Sequence, residues 1–423
     1  MKIKRLEIKG YKSIGHLVLE DVPSLMVLAG ANGAGKSNLV EALAFFSAIL
    51  QKGLQITVND FGGWKDIVPK IKNIQPKSKH DMFFDFHIHI RNELYHYRLE
   101  LEITKNSAEI KYETLHQNNE EIFTRESIPK HPPIPTIKRE QIDNNDIVAS
   151  MVAGGIIGAM ASKNIGGALI GGILGAAITS QANDGNQSKS KVNLSDELSL
   201  LQTTFSTTDL YNFLAYIKIF KIDPFVAKYP SRDINNSDEL NPNGNNIAAV
   251  LAKLEKDDDF RETLMEWLEL IVPQMQEINA SANRLDGSVG LSFTEASGKQ
   301  FPAHLISDGT IYVICILTAI LSRYNEYGIT IIEEPERGIH PKAIGELIGF
   351  IRDKMAESGK HTVILTTHSE SVVRNSEVEE LFFVQQENGA TQVKSLRGSS
   401  VDKNKIPLDT AWLTNILGGG SPW

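Results

Sequence analysis

Polar and apolar residues alternate through residues 2–9, where Ile3, Leu6 and Ile8 mark one face of a strand. Ser24 to Ala29 is a short apolar run, the pattern of a buried strand. It leads into Gly30-Ala31-Asn32-Gly33-Ala34-Gly35-Lys36-Ser37, after which Asn38 to Leu43 takes up a helical period. The segment therefore predicts strand, glycine loop, helix. Between residues 81 and 115, runs of period-two alternation separated by turn residues predict an antiparallel meander. Residues 195–222 and 246–272 carry helical periodicity, and Ser288–Glu295 continues as a meander-like piece. The last third alternates long apolar helices with short apolar runs at 329–332 and 361–367, with a helix expected near 341–358. That alternation predicts a mainly parallel α/β core. No repeat of solenoid period is visible.

A chain of 423 residues is long enough for two or three domains, or for one domain with large insertions. With 41% apolar and 22% charged residues it is globular rather than disordered or fibrous. The net charge of −9 argues against a generally basic nucleic-acid binder. Lys2, Lys4, Arg5, Lys9 and Lys12 could still form part of a basic stripe, although a solvated edge strand is the preferred reading. The single cysteine, Cys315, excludes an intrachain disulfide and a cysteine zinc cluster. The first ten residues hold no apolar run of signal-peptide length, so a cytoplasmic protein is expected. His87 and His89 alternate on one strand face; a metal pair is conceivable, and solvent-facing side chains are the preferred reading.

A proline-rich, then polar linker at 128–145 leads to a glycine-rich insertion at 148–180 with one charge, Lys163. Gly154 and Gly158, then Gly167, Gly171 and Gly175, recur at four-residue spacing, which on a helix places small residues on one face. A tightly packed helical pair within an oligomer is the favoured reading. A flexible loop and a membrane hairpin compete with it, and Lys163 divides the latter into halves too short to span. The polar stretch that follows is expected to be disordered.

Gly30 to Ser37 matches G-x-x-x-x-G-K-[ST] in full. Glycines let backbone N–H groups converge on phosphate oxygens, Lys36 supplies a positive charge, and the Ser37 hydroxyl can ligate Mg²⁺. The following helix directs its positive end at the same point. Candidate nucleotide-binding residues are thus Asn32, Gly33, Gly35, Lys36, Ser37 and Asn38. The apolar run before Glu333 and Glu334 would deliver two carboxylates at the C-terminal end of a strand, Glu333 toward the metal and Glu334 toward an attacking water. Ser307-Asp308-Gly309-Thr310 opens a long apolar helix, where a hydroxyl and backbone donors could meet an anion or simply cap the helix. His368 ends another buried strand, one helix and one strand beyond the carboxylates, the place of a γ-phosphate sensor.

Phosphate loop, long insertion, S-D-G-T, strand-E-E-P-E-x-G-I-H-P and T-T-H-S together resemble an ABC-class ATPase head. The resemblance covers residues 1–125 and 200–395 and is greatest to the AAA-type group related to RecF, SMC heads and the OLD-family nucleases. It implies an α/β fold, an ABC-type head with a mainly parallel P-loop core sheet, an antiparallel β lobe and helical insertions. Residues 1–125 and 301–395 would form the two halves of the head. Residues 126–194 would be linker and insertion, 195–300 a helical lid, and 396–423 a tail. The resemblance further implies Ser307–Thr310 as signature motif, with Ser307 and Gly309 reaching a partner's nucleotide. It makes Glu333–Glu334 the Walker B pair, Glu336–His340 the D-loop region and His368 the switch histidine. Glu333 stands where the family usually has aspartate, which predicts slow turnover. S-D-G-T replaces the transporter-type signature. The family's metal-contacting glutamine has only weak candidates, Gln51 and Gln55. About 55 residues follow His368, so the Toprim nuclease domain of OLD-family proteins is not expected among them.

The expectation is an ATP- and Mg²⁺-dependent enzyme that forms a homodimer or higher homo-oligomer on ATP. It would switch a separately encoded effector, such as a nuclease, in bacterial defence against phage. A DNA-repair ATPase clamping DNA and a membrane-associated ATPase are the competing classes.

Overall fold

Period-two alternation early in the chain becomes an antiparallel sheet in the computed structural model, which describes residues 1–71, 79–126, 136–137, 198–232, 238–398 and 406–414. β1 (Lys2–Tyr11) and β2 (Ile14–Val22) form the first hairpin, and β3 (Leu25–Ala29) belongs to a different sheet. β4 (Lys79–Ile90), β5 (Glu93–Thr104), β6 (Ala108–Gln117), β7 (Glu120–Glu126) and β8 (Thr136–Ile137) complete seven strands in the order β2-β1-β4-β5-β6-β7-β8, antiparallel throughout. The β6–β7 turn passes through Asn118 and Asn119 at φ 50° and 68°, the left-handed pair that a tight hairpin requires and asparagine tolerates. The glycine-rich segment 148–180 and the polar stretch after it lie outside the described residues. Among the described residues no helix is long and apolar enough to cross a membrane.

The chain divides into two compact units. The first comprises Met1–Val22, Glu41–Tyr216 and Glu387–Thr391. Its core is aromatic: Phe46 lies 4.6 Å from Phe86 and 5.1 Å from Phe84, ring centre to ring centre, and Tyr11 lies 5.3 Å from Phe45. Glu113 is buried at the end of this core. It accepts hydrogen bonds from Tyr97 Oη at 2.9 Å, Ser199 Oγ at 2.6 Å, and the backbone N–H groups of Leu200 and Leu201 at 2.8 and 3.2 Å. Arg125 Nη1 stands 3.9 Å away, also fully buried. The carboxylate thus anchors the start of the Leu200–Phe205 helix to β6.

The second unit comprises Pro23–Val40, Ile217–Gln386 and Gln392–Trp423. It holds β9 (Ile217–Phe220), the three-stranded sheet of β10 (Met275–Ala282), β11 (Val289–Glu295) and β12 (Gln300–Pro302), then β13 (Gly328–Glu333), β14 (His361–Thr367), β15 (Leu381–Glu387) and β16 (Ala390–Ser395). The six-stranded sheet has the order β16-β15-β3-β14-β13-β9, with β15, β3, β14, β13 and β9 parallel. Every residue of β3 and β14 is buried, as expected for a parallel sheet covered on both faces. The Pro341–Ser358 helix connects β13 to β14, and the Asp308–Leu321 helix is buried from Thr310 to Leu321. Residues 195–222 are less helical than their periodicity predicts. They form the helices Leu200–Phe205 and Asp209–Ala215 and then β9, because Ile217 to Phe220 find parallel partners in Ile329 to Ile332.

Removing the Glu113 carboxylate leaves its four donors without their acceptor and takes the counter-charge from the buried Arg125, which keeps its hydrogen bond to the Leu198 carbonyl at 2.6 Å. Glu113→Ala is therefore expected to destabilise the protein by about 3–5 kcal/mol, read from urea denaturation monitored by aromatic fluorescence.

Candidate nucleotide-binding site

The site is built where three neighbouring parallel strands end. Thr367 pairs with Ala29 and Thr366 pairs with Glu333, so β3, β14 and β13 finish level at their C-terminal ends. The glycine loop leaves from β3, His368 from β14 and Glu334 from β13. This edge of an open α/β sheet is where ligands bind.

The loop after Ala29 turns through Gly33 at φ 78° and Gly35 at φ 104°, then becomes the Lys36–Lys52 helix. Gly30 tolerates no side chain: a Cβ there would stand 2.4 Å from the Val384 carbonyl oxygen on β15. Asn32, Gly33 and Ser37 are exposed, and Gly35, Lys36 and Asn38 are half-buried. Lys36 Nζ curls over the loop and donates to the carbonyls of Gly30 at 2.6 Å and Ala31 at 3.0 Å. Burial pulls its pKa below the usual lysine value, against the opposing pull of Glu334 and Glu336. A backbone nest with a lysine ammonium inside it and a helix N-terminus behind it suits a polyphosphate.

Glu333 closes β13, and Lys221 Nζ stands 3.3 Å from its Oε2. Glu334 follows with φ 52°, a left-handed backbone that is costly for glutamate, and its N–H donates to the Thr366 carbonyl at 2.9 Å. The turn aims Glu334 at His368, whose Nδ1 lies 3.4 Å from Glu334 Oε1. The structure thus brings Glu334 and His368 together, both half in solvent. A third carboxylate joins them. Glu336 Oε1 accepts from Thr367 Oγ1 at 2.7 Å and lies 3.9 Å from His368 Nδ1, while its Oε2 is buried without a hydrogen-bond partner. Burial raises the pKa of Glu336, offset in part by its hydrogen bonds. The motif spacing assigns Glu336 only to a loop region, and its tie to Thr367 is visible only in the fold.

Ser307 and Gly309 sit at the N-terminus of the Asp308–Leu321 helix. Ser307 caps it, accepting from the Thr310 N–H at 3.1 Å, while Lys228 pairs with Asp308. Gly309 packs backbone to backbone on Gly338, with a Cβ position only 2.1 Å from the Gly338 carbonyl oxygen. Further along, Tyr312 Oη donates to the carbonyls of Glu333 at 2.8 Å and Glu334 at 2.9 Å. Sequence reasoning missed Tyr312. A phenol inside an otherwise apolar helix was the available signal, because a buried hydroxyl needs a partner.

The Gln51 amide donates to Ser47 Oγ and the Ala215 carbonyl. Gln55 donates to Asn59. The N-terminal basic residues are largely matched by carboxylates. Asp21 holds Lys2 and Lys4 at 3.4 and 3.1 Å, Arg5 meets Glu7 at 2.6 Å and Glu20 at 3.3 Å, and Lys12 meets Glu41.

A phosphate-type loop, a carboxylate pair and a histidine at one parallel-sheet edge define a P-loop ATPase. The family model described as "AAA ATPase domain" matches residues 1–157, and that described as "AAA domain, putative AbiEii toxin, Type IV TA system" matches 218–374. Two AAA-type ATPase models thus match separate parts of the chain, and its fold is that of an ABC/AAA-type ATPase head. Among solved structures it is similar to an SMC head bound to the C-winged helix domain of ScpA, at 13% identity and a TM-score of 0.50 over 93% of this chain and 97% of that one. The SMC head domain from Thermotoga maritima matches at 12% identity and a TM-score of 0.44 over 93% and 99%. No curated protein matches the sequence.

Gly30→Ala is expected to displace the loop from β15, costing about 1–3 kcal/mol of stability and at least about tenfold in nucleotide affinity. Gly349→Ala, in the Pro341–Ser358 helix with open space around it, should instead stabilise by about 0.5–1 kcal/mol. Thermal unfolding and titration with a fluorescent ATP analogue read both.

Proposed function

We propose that this ATPase binds ATP with Mg²⁺, hydrolyses it slowly, and uses ATP-dependent pairing of two heads to switch a separately encoded effector. The observation that carries the reading is the common edge of β3, β14 and β13, where the glycine loop, Glu333–Glu334 and His368 emerge together. The backbone of Asn32 to Asn38 and the Lys36 ammonium would hold the phosphates. Ser37 and Glu333 would hold Mg²⁺, which supplies charge neutralisation to the phosphoryl group in such enzymes. Glu334 orients the attacking water, and His368, beside it, senses the γ-phosphate. Glutamate at 333 is one methylene longer than the usual aspartate and has Lys221 beside it, which supports slow turnover. Ser307 and Gly309 complete the site of a second copy.

The toxin–antitoxin description of the family matched at 218–374 supports a setting in bacterial defence. A head of this fold bound to a domain of ScpA offers an analogy for a separate partner.

Lys36→Ala removes the cation aimed at the β- and γ-phosphates. ATP affinity should fall at least about a hundredfold by calorimetry, about 2.7 kcal/mol or more, and undiminished binding would remove the loop as the site. Glu334→Gln should bind ATP normally and lose about a hundredfold or more in hydrolysis. Its ATP-bound assembly should persist in size-exclusion chromatography, and rapid hydrolysis would assign the water-orienting role elsewhere.

Shared sites make a separate prediction. Ser307→Arg alone should abolish hydrolysis. Mixing it with Lys36→Ala protein leaves one intact site per heterodimer and should restore part of the activity. Full activity of Ser307→Arg by itself would exclude the paired arrangement.

A further inference from the structure

The outer face of the seven-stranded sheet carries a cluster that the ATPase site does not use. Along β4, Phe84, Phe86 and Ile88 point into the aromatic core, so Asp85 and His87 point to the opposite face. Register then brings a third residue to them. His87 on β4 is directly opposite His96 on β5, and the two rings stack at 4.0 Å with 16° between their planes. His87 Nε2 lies 3.2 Å from Asp85 Oδ1, and His96 Nε2 lies 3.0 Å from Asp85 Oδ2. One ligand atom from each of the three lies within 4.8 Å of the other two.

We propose that Asp85, His87 and His96 form a binding site for a divalent transition-metal ion of the zinc class, with a fourth coordination position open to water. The spacing of the ligand atoms suits such an ion, and the two stacked rings would turn out of their stack to aim both nitrogens at it. Ligand atoms held at about 2.0–2.1 Å around a tetrahedral Zn²⁺ stand roughly 3.4 Å apart, and the two Asp85–histidine separations are of that size. Asp85 is 3% exposed, and its Oδ1 has no hydrogen-bond partner, a costly state for a buried carboxylate and one that a bound cation would relieve. The imidazoles keep about a third of their surface in solvent, which gives an ion access. Two imidazoles and one carboxylate select against Mg²⁺, which prefers an all-oxygen shell, so the site is chemically distinct from one that serves ATP.

The surroundings are consistent with a cation. Two cations stand close by: Arg5 is directly opposite His87 on β1, with its guanidinium paired to Glu7 and Glu20, and Arg98 has Nη1 3.5 Å from Asp85 Oδ2. The Arg98 charge is shared with Glu100, to which Nε donates at 2.7 Å, and its guanidinium lies over the Phe83 ring at 4.6 Å. On the next strand, His116 stacks on His96 at 5.7 Å and stands outside the set of three. The sequence directs attention to His87 and His89. The fold pairs His87 with His96 instead and adds a buried aspartate two residues before it.

The test uses the full chain, stripped with a chelator and titrated with Co²⁺ and Zn²⁺. One equivalent per chain should bind, with the visible absorption of nitrogen- and oxygen-ligated Co²⁺ displaced by Zn²⁺. His87→Ala and His96→Ala should each abolish that spectrum, Asp85→Asn should weaken binding at least about tenfold, and His116→Gln should leave it intact. His87→Gln and His96→Gln keep hydrogen-bonding capacity and report the same loss if an alanine variant misfolds. Retained ATP binding and circular dichroism identify folded variants. Absence of a bound equivalent in the wild type, or the same stoichiometry and spectrum in the folded histidine variants, would overturn the proposal and leave a charge-assisted Asp85–His96 hydrogen bond in its place.

Discussion

Glu333 pairs with Thr366 and Thr367 with Ala29, and this register makes three strands of the second unit end level. The glycine loop, the carboxylates and the histidine are far apart in sequence, yet each is the first or second element beyond a strand end. A slip of one residue in either pairing would turn every side chain of a strand to its other face and misalign these ends. Because β3 and β14 are buried throughout, such a slip would also disturb the packing on both sides of the sheet. The unit's buried core therefore fixes the geometry of a polar site and lends it only the few groups, Thr366, Thr367 and Tyr312, that hold the strand ends in place.

Within that frame, the strained backbone of Glu334 is explained by what it achieves. A residue continuing β13 would carry its side chain to one face of the sheet. The left-handed turn at φ 52° redirects the carboxylate toward His368, and two hydrogen bonds from Tyr312 to the carbonyls on either side of the turn hold it there. The cost of that backbone, of order 1–3 kcal/mol, is sustained by the surrounding hydrogen bonds.

Much of this was legible in the chain. Gly30 to Ser37 announces its conformation because each residue type meets a local demand, and the apolar runs of β3, β13 and β14 identify themselves by length and composition. The Pro341–Ser358 helix lies where its period places it. Other features depend on partners distant in sequence. Residues 217–220 read as helix until Ile329 to Ile332 are placed beside them. His96 joins His87 only through the register of β4 and β5, which alternation does not specify to the residue. The role of Glu336 rests on Thr367, thirty-one positions later. Periodicity reports what a segment is; pairing decides what it meets.

The contact between Gly309 and Gly338 leaves no room for a methyl group between two loops, one opening the Asp308–Leu321 helix and the other following the carboxylates. Tyr312, one turn along the same helix, grips the strand end from the other side. Held at two points, the helix has no slack relative to Glu334. A shift of the Glu334 turn is therefore passed to the helix through both contacts. Ser307, two residues from the Gly309 contact, would move with it, and the surface it presents would change although nothing has touched it.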